Sequence, residues 1–147
     1  HLVPRLLAAG KRVRASARNV EVLAARGWPD VACVSADALQ PETLAAALQG
    51  VDVAYYLVHS MAAGRGFGAL DRAAAHNFGA AAAAAGVRRI VYLGGIMPKE
   101  TRSRHMEGRA VVGDALREGS IQVIELQAAR LSPRATAPNF LTAGLSL

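Results

Sequence analysis

Two histidines in this chain sit where a proton could be moved. His105 is followed four residues later by Arg109, a spacing that puts both side chains on one face of a helix. An imidazole titrates near neutrality and can carry a proton. A guanidinium stays charged, so it can hold a phosphate or a ribose hydroxyl but cannot act as the base. His59 lies beside Ser60 at the end of an apolar run. The competing readings are structural: a polar helix face for the first pair, a strand-end histidine for the second. The single cysteine, Cys33, lies in an apolar segment and has no partner for an internal disulfide. No Cys/His spacing suits zinc, so no metal site is expected. Cys33 reads as a small buried hydrophobe, and the chain fits a reducing cytosol, giving a cytoplasmic expectation.

These residues belong to a chain of 147, enough for one domain with a core. It is 52% hydrophobic and 19% charged, which excludes a disordered polyelectrolyte. The net charge of +6 comes from arginines spread along the chain. No dense basic run appears, so nucleic-acid binding is not expected. Arg5, Lys11, Arg12 and Arg14 interrupt the N-terminal apolar stretch, and the alanine run 80–85 is far too short to span a bilayer. No membrane segment or signal peptide is therefore read.

The elements that must position the candidates follow from periodicity. Leu2, Val3, Leu6 and Leu7 recur at helical spacing before Gly10. Residues 11–18 alternate as a strand, with Val13, Ala15 and Ala17 on one face. Asn19 is placed to cap a helix over 20–26. Residues 27–30 form a turn, and 31–35 a short strand. Pro41 opens a helix over 41–48 that Gly50 closes. The apolar run 51–58 reads as a strand buried on both faces. A loop is expected over 61–68, then a long helix over 69–85 with Leu70, Ala74, Phe78, Ala81 and Ala85 on one face. A strand over 89–93 precedes Gly94 and Gly95. A helix over 105–117, a strand over 121–126 and a helix starting at 140 complete the series. Tyr55, Tyr56 and Tyr92 fall in strands and are assigned to the core. Glu107, Asp114 and Glu118 are assigned to solvated helix faces.

Strands alternating with helices imply an α/β fold with a doubly wound parallel sheet and right-handed crossovers. Ligands in such sheets lie at the carboxyl ends of the strands. The positions to weigh are thus Arg18, Asp37, Val58 to Ser60, and Gly94 with Gly95.

Three stretches resemble a family. LVPRLLAAGKRVRASARN, ADALQPETLAAALQGVDVAYYLVHSM and NFGAAAAAAGVRRIVYLGG look like successive units of the atypical short-chain dehydrogenase/reductases, the NmrA-like NAD(P)-binding Rossmann proteins. The resemblance spans roughly residues 1–135. It implies a dinucleotide cofactor, NADP with NAD as the alternative, and a small-molecule substrate. Arg18, beside Asn19 and with Arg14 as a possible helper, would meet a 2′-phosphate. Asp37, with Ala38, would accept from the adenine amino group. Leu57, Val58, His59 and Ser60 would line the ribose and phosphates. His105 and Arg109 would stand where these enzymes carry their tyrosine and lysine.

Two departures follow from the same resemblance. Gly94 and Gly95 replace serines that polarise the substrate, so no hydroxyl is supplied there. The first strand and glycine-rich phosphate turn of the family have no counterpart in residues 1–147. The chain is expected to be a single partial NAD(P)-binding domain, with its second and fourth family strands lacking a shared neighbour. Low stability or a non-native pairing of those strands is expected, with weak or no dinucleotide binding by this chain alone. A longer protein would be an NAD(P)H-dependent oxidoreductase. The alternative is a non-catalytic redox sensor or assembly factor.

Overall fold

The computed structural model describes residues 2–58, 67–95 and 104–128. Ten elements alternate along it. They are α1 (Leu2–Ala8), β1 (Val13–Ala17), α2 (Val20–Ala24), β2 (Val31–Ser35), α3 (Pro41–Leu48), β3 (Val53–Tyr56), α4 (Phe67–Ala84), β4 (Arg89–Gly95), α5 (Arg104–Arg117) and β5 (Gln122–Ala128). The local causes are those of the sequence. Asn19 caps α2, its Oδ1 accepting from the Glu21 amide at 3.0 Å. Pro41 occupies the first turn of α3, where its missing N–H is not needed. Gly10, Gly50 and Gly86 follow their helices with φ of 69°, 69° and 75°, the left-handed turn that ends a helix without a Cβ clash.

All strand pairs are parallel. β1 pairs with β2 from Val13↔Val31 to Ala17↔Ser35. β3, β4 and β5 form a separate sheet in that order, with Tyr56↔Tyr92 and Tyr92↔Glu125 in register. β1 and β3 do not pair, so the expected non-native pairing is not formed. Between them lies a cleft of about 960 Å³ lined by Val13 and Ala15 on one side, Val53 and Tyr55 on the other, with Leu6 and Phe78 across it.

Burial follows the two sheets. Leu44, Ile90 and Leu116 have no exposed surface, and Tyr56 and Tyr92 are 1% exposed; they anchor the main cluster, to which α3, α4 and α5 contribute. α4 and α5 approach closely at Gly79, where an added Cβ would lie 3.6 Å from the Leu116 carbonyl oxygen. A second cluster under β1 and β2 holds three buried residues, Ala15, Ala17 and Leu23, with Trp28, Val31 and Cys33 packed against it. Cys33 is half-buried.

Several boundaries differ from the sequence reading. β4 runs on through Gly94 and Gly95, because β5 supplies a ladder as far as Gly95↔Ala128. α4 begins at Phe67, inside the expected loop. Its buried face is also rotated: Leu70 is 41% exposed, whereas Ala74, Ala75, Phe78 and Ala82 are buried. Helical spacing put Leu70 on one face with Ala74 and Phe78; the buried face takes in Ala75 and Ala82 and leaves Leu70 outside it. The segment starting at residue 140 lies outside the described residues. Among the described residues, no helix is long and apolar enough to cross a membrane.

Candidate functional site

The carboxyl ends of β1 and β2 lie side by side because the strands pair to their last residues. The ladder is extended by one bond, from the Ala36 amide to the Ala17 carbonyl at 3.1 Å. Arg18 and Asp37 therefore leave neighbouring strand ends. Arg18 is exposed, and its guanidinium makes no ion pair among the described residues. Its carbonyl accepts from Ser35 Oγ at 3.3 Å. Asn19 spends its side-chain oxygen on the α2 cap, leaving its amide nitrogen to face solvent.

Asp37 is half-buried and built into a turn. Its Oδ1 accepts from the Leu39 amide at 2.9 Å, its own amide donates to Thr43 Oγ1 at 2.9 Å, and its carbonyl accepts from the Gln40 amide at 2.8 Å. Thr43 Oγ1 in turn reaches the Gln40 carbonyl at 2.7 Å. The second carboxylate oxygen has no hydrogen bond among the described residues, so it can accept from a ligand. Ala38 is 2% exposed, and its carbonyl accepts from Asn77 Nδ2 on α4 at 3.0 Å. Thr43 and Asn77 escaped the sequence reading. The only signal for Asn77 was an amide amid the alanines of a helix, a poor helix former with no local reason to be there.

Arg14 departs from its expected place near the phosphate. Its Nη1 donates to the Ala46, Ala47 and Gln49 carbonyls at 3.3, 3.1 and 2.7 Å. It thus neutralises the carboxyl end of α3, where orphan carbonyls and the helix dipole favour a cation.

On the other side of the cleft, the β3–β4 ladder ends at Tyr56↔Tyr92, and Leu57 and Val58 follow β3 directly. Leu57 and Val58 are half-buried and Gly94 is buried. A Cβ at Gly94 would collide with Glu125 Oε1 and lie 3.1 Å from Glu125 Cγ. Glu125 fills this space while its Oε2 accepts from Arg117 Nη2 at 2.6 Å. Arg117 also meets Asp114 at 3.3 Å, and Glu118 meets Arg72 at 2.9 Å, both on solvated helix faces. His59 and Ser60 lie outside the described residues. His105 and Arg109 fall in the first turns of α5, with side chains outside the description, as is that of Glu107.

Beneath this edge, Tyr56 and Tyr92 pack at 6.1 Å between centroids, with Phe78 4.9 Å from Tyr56. Burial, then the nearby Asp71 carboxylate, then Tyr92 push the Tyr56 hydroxyl well above the ordinary tyrosine range. A raised folded value means stability is full below the unfolded tyrosine pKa and falls as pH rises past about 10. The slope from this one group is about 1.4 kcal/mol per pH unit. Urea unfolding at alkaline pH should show it, and Tyr56→Phe should flatten it. An equally steep loss in that variant would remove Tyr56 as the cause.

Comparisons with known proteins bear on this arrangement. A family model for an NAD(P)H-binding domain matches residues 1–132. No curated protein matches the chain. Among solved structures, triphenylmethane reductase from Citrobacter sp. complexed with NADP(H) is 28% identical with a TM-score of 0.60, over 78% of this chain and 39% of that one. An NADPH-dependent quinone oxidoreductase from Escherichia coli complexed with NADPH is 22% identical, TM-score 0.66, over 79% and 39%. A short-chain dehydrogenase/reductase superfamily protein from Agrobacterium tumefaciens with bound NAD is 18% identical, TM-score 0.67, over 86% and 44%. The last two likenesses show the fold, which is Rossmann-like. The chain spans about two fifths of the length of the structures it matches.

Proposed function

The chain belongs to the NAD(P)H-binding family, of the atypical short-chain dehydrogenase/reductase type, and on that premise we propose that it carries the adenosine-holding part of an NADP(H)-dependent oxidoreductase. The observation that carries this reading is the pairing of Arg18 with Asp37 at adjacent strand ends, one an exposed cation without an ion pair, the other an anchored carboxylate with a spare oxygen. The residues present fit the group: a guanidinium matches a 2′-phosphate bidentately, and a carboxylate oxygen matches the adenine amino group. Asn19 Nδ2 adds a donor beside Arg18, and Ala38, buried next to Asp37, backs the turn that carries the carboxylate. Leu57 and Val58 supply apolar contact on the far side, and Gly95, at the end of β4, lets backbone approach closely.

The bound cofactor supplies the hydride; the protein orients it and handles the proton. In this reading His105 gives a proton to the oxygen of a small carbonyl substrate, Arg109 holds a ribose or phosphate oxygen, and His59 and Ser60 border the same edge. A second reading, a dinucleotide-dependent sensor or assembly factor without turnover, is favoured by Gly94 and Gly95, which bring no hydroxyl to polarise a substrate.

Titration of the full-length protein with NADPH and NADH, monitored by nicotinamide fluorescence, tests the cofactor assignment. Arg18→Ala should weaken NADPH binding by about tenfold, the worth of one charge-assisted contact, and leave NADH unchanged. Equal affinities in variant and wild type would sink the 2′-phosphate role. Steady-state NADPH oxidation with a carbonyl panel then separates the two readings. Unchanged turnover in His105→Ala would remove His105 from the chemistry.

A further inference from the structure

The polar side chain that joins the two sheets near the proposed site is Asn77. It lies on α4 beside the buried Ala74 and Phe78, a helix that packs on α3 and α5 rather than on β1 or β2. Yet its amide reaches the turn between β2 and α3, donating to the Ala38 carbonyl 39 residues away. A carbonyl can only accept, so the amide nitrogen must face it, and a carboxylate in its place would be repelled. The turn it grips is the one whose Leu39 amide fixes Asp37 Oδ1. Thr43 holds the same turn from within, at the Asp37 amide. Asp37 is thus clamped locally by Thr43 and, through Ala38, from α4 by Asn77.

We propose that Asn77 is a positioning residue of the dinucleotide site: its hydrogen bond to Ala38 sets where the Asp37 carboxylate stands for the adenine end of the cofactor. The inference rests on the adenine role given to Asp37 above. Asn77 touches no cofactor itself. It acts by tying the Asp37–Ala38 turn to the helix that follows β3, so the two halves of the site keep one spacing. Rotational freedom of the turn is removed before binding rather than during it, and such preorganisation is read directly in affinity.

The test uses adenosine 2′,5′-diphosphate as the probe, titrated by NMR into the full-length protein. Asn77→Asp keeps the shape and loses the donor, and Asn77→Leu is isosteric and apolar. Both are expected to bind the probe about tenfold more weakly, the effect of one lost hydrogen bond on a preorganised turn. In ligand-free protein, amide exchange at Leu39 should accelerate in both variants, whereas exchange in β4 stays as in wild type. In an Asp37→Ala background the Asn77 substitutions should cause no further loss of affinity, because they act through that carboxylate. Full additivity in that background, or Leu39 exchange unchanged, would overturn the proposal. If wild type and Asn77 variants bind alike, the positioning role falls and the cofactor reading stands. If wild type does not bind the probe, the cofactor reading falls and takes this role with it.

Discussion

Phe78→Ala should lower the unfolding free energy by about 3–5 kcal/mol, the range for emptying an aromatic site in a packed core. Phe78 is 4% exposed, its ring tilted at 59° against Tyr56 with centroids 4.9 Å apart. It also lines the cleft between β1 and β3. Truncation would join the new void to that cleft, admitting water beside Tyr56, whose hydroxyl already pays for burial. Phe78→Leu, which keeps most of the volume, should cost about 1–1.5 kcal/mol. Leu70→Ala is the internal control. Leu70 is on the same helix but 41% exposed, so its truncation should stay within about 0.5 kcal/mol. Urea denaturation followed by circular dichroism measures all three. Equal destabilisation by Phe78→Ala and Leu70→Ala would contradict the burial pattern of α4.

Gly94→Ala should be nearly as damaging as a core truncation, although it adds only a methyl group. The added carbon falls on the Glu125 carboxylate, whose other oxygen is held by Arg117. Gly113 closes the same socket from α5, with a Cβ there lying 3.2 Å from Glu125 Oε2 and 3.1 Å from Arg117 Nη1. Glu125 therefore cannot swing aside without leaving Arg117. The expected loss is about 1–3 kcal/mol, as for overpacking. The mechanism makes a sharper claim than the magnitude. In Glu125→Ala the space is empty, so adding Gly94→Ala should cost little, and the two substitutions should couple by at least about 1 kcal/mol. Strict additivity would place the strain in the backbone instead. This packing also gives a structural reason for glycine at a position where a serine would bring chemistry.

Much of the fold was legible because its causes are local. Pro41 and Gly50 bracket α3, and β2 is an apolar run between turns, so both lie where periodicity put them. The start of β4 at Arg89 was legible, but its end was not, since the ladder that carries the strand to Gly95 comes from β5. On α4, spacing alone put Leu70 on the buried face, but which turns of a helix are covered is decided by the elements packed on it. Within the site, Arg18 and Asp37 could be found from strand ends alone. The partners of Arg14 and Asn77 could not, because they lie 33 and 39 residues away and become neighbours only when the strands are laid side by side.

The unequal partition of the core has a kinetic consequence. The second cluster holds three buried residues, on β1 and α2, while the buried residues of the main cluster come from two strands and three helices. Local opening free energy scales with the apolar contact that must be broken. The molecule is therefore a graded object in time: the segment bearing Arg18 opens and recloses many times for each opening of the segment bearing Tyr92. A protease sampling those openings would meet the Arg18 end of the proposed site first.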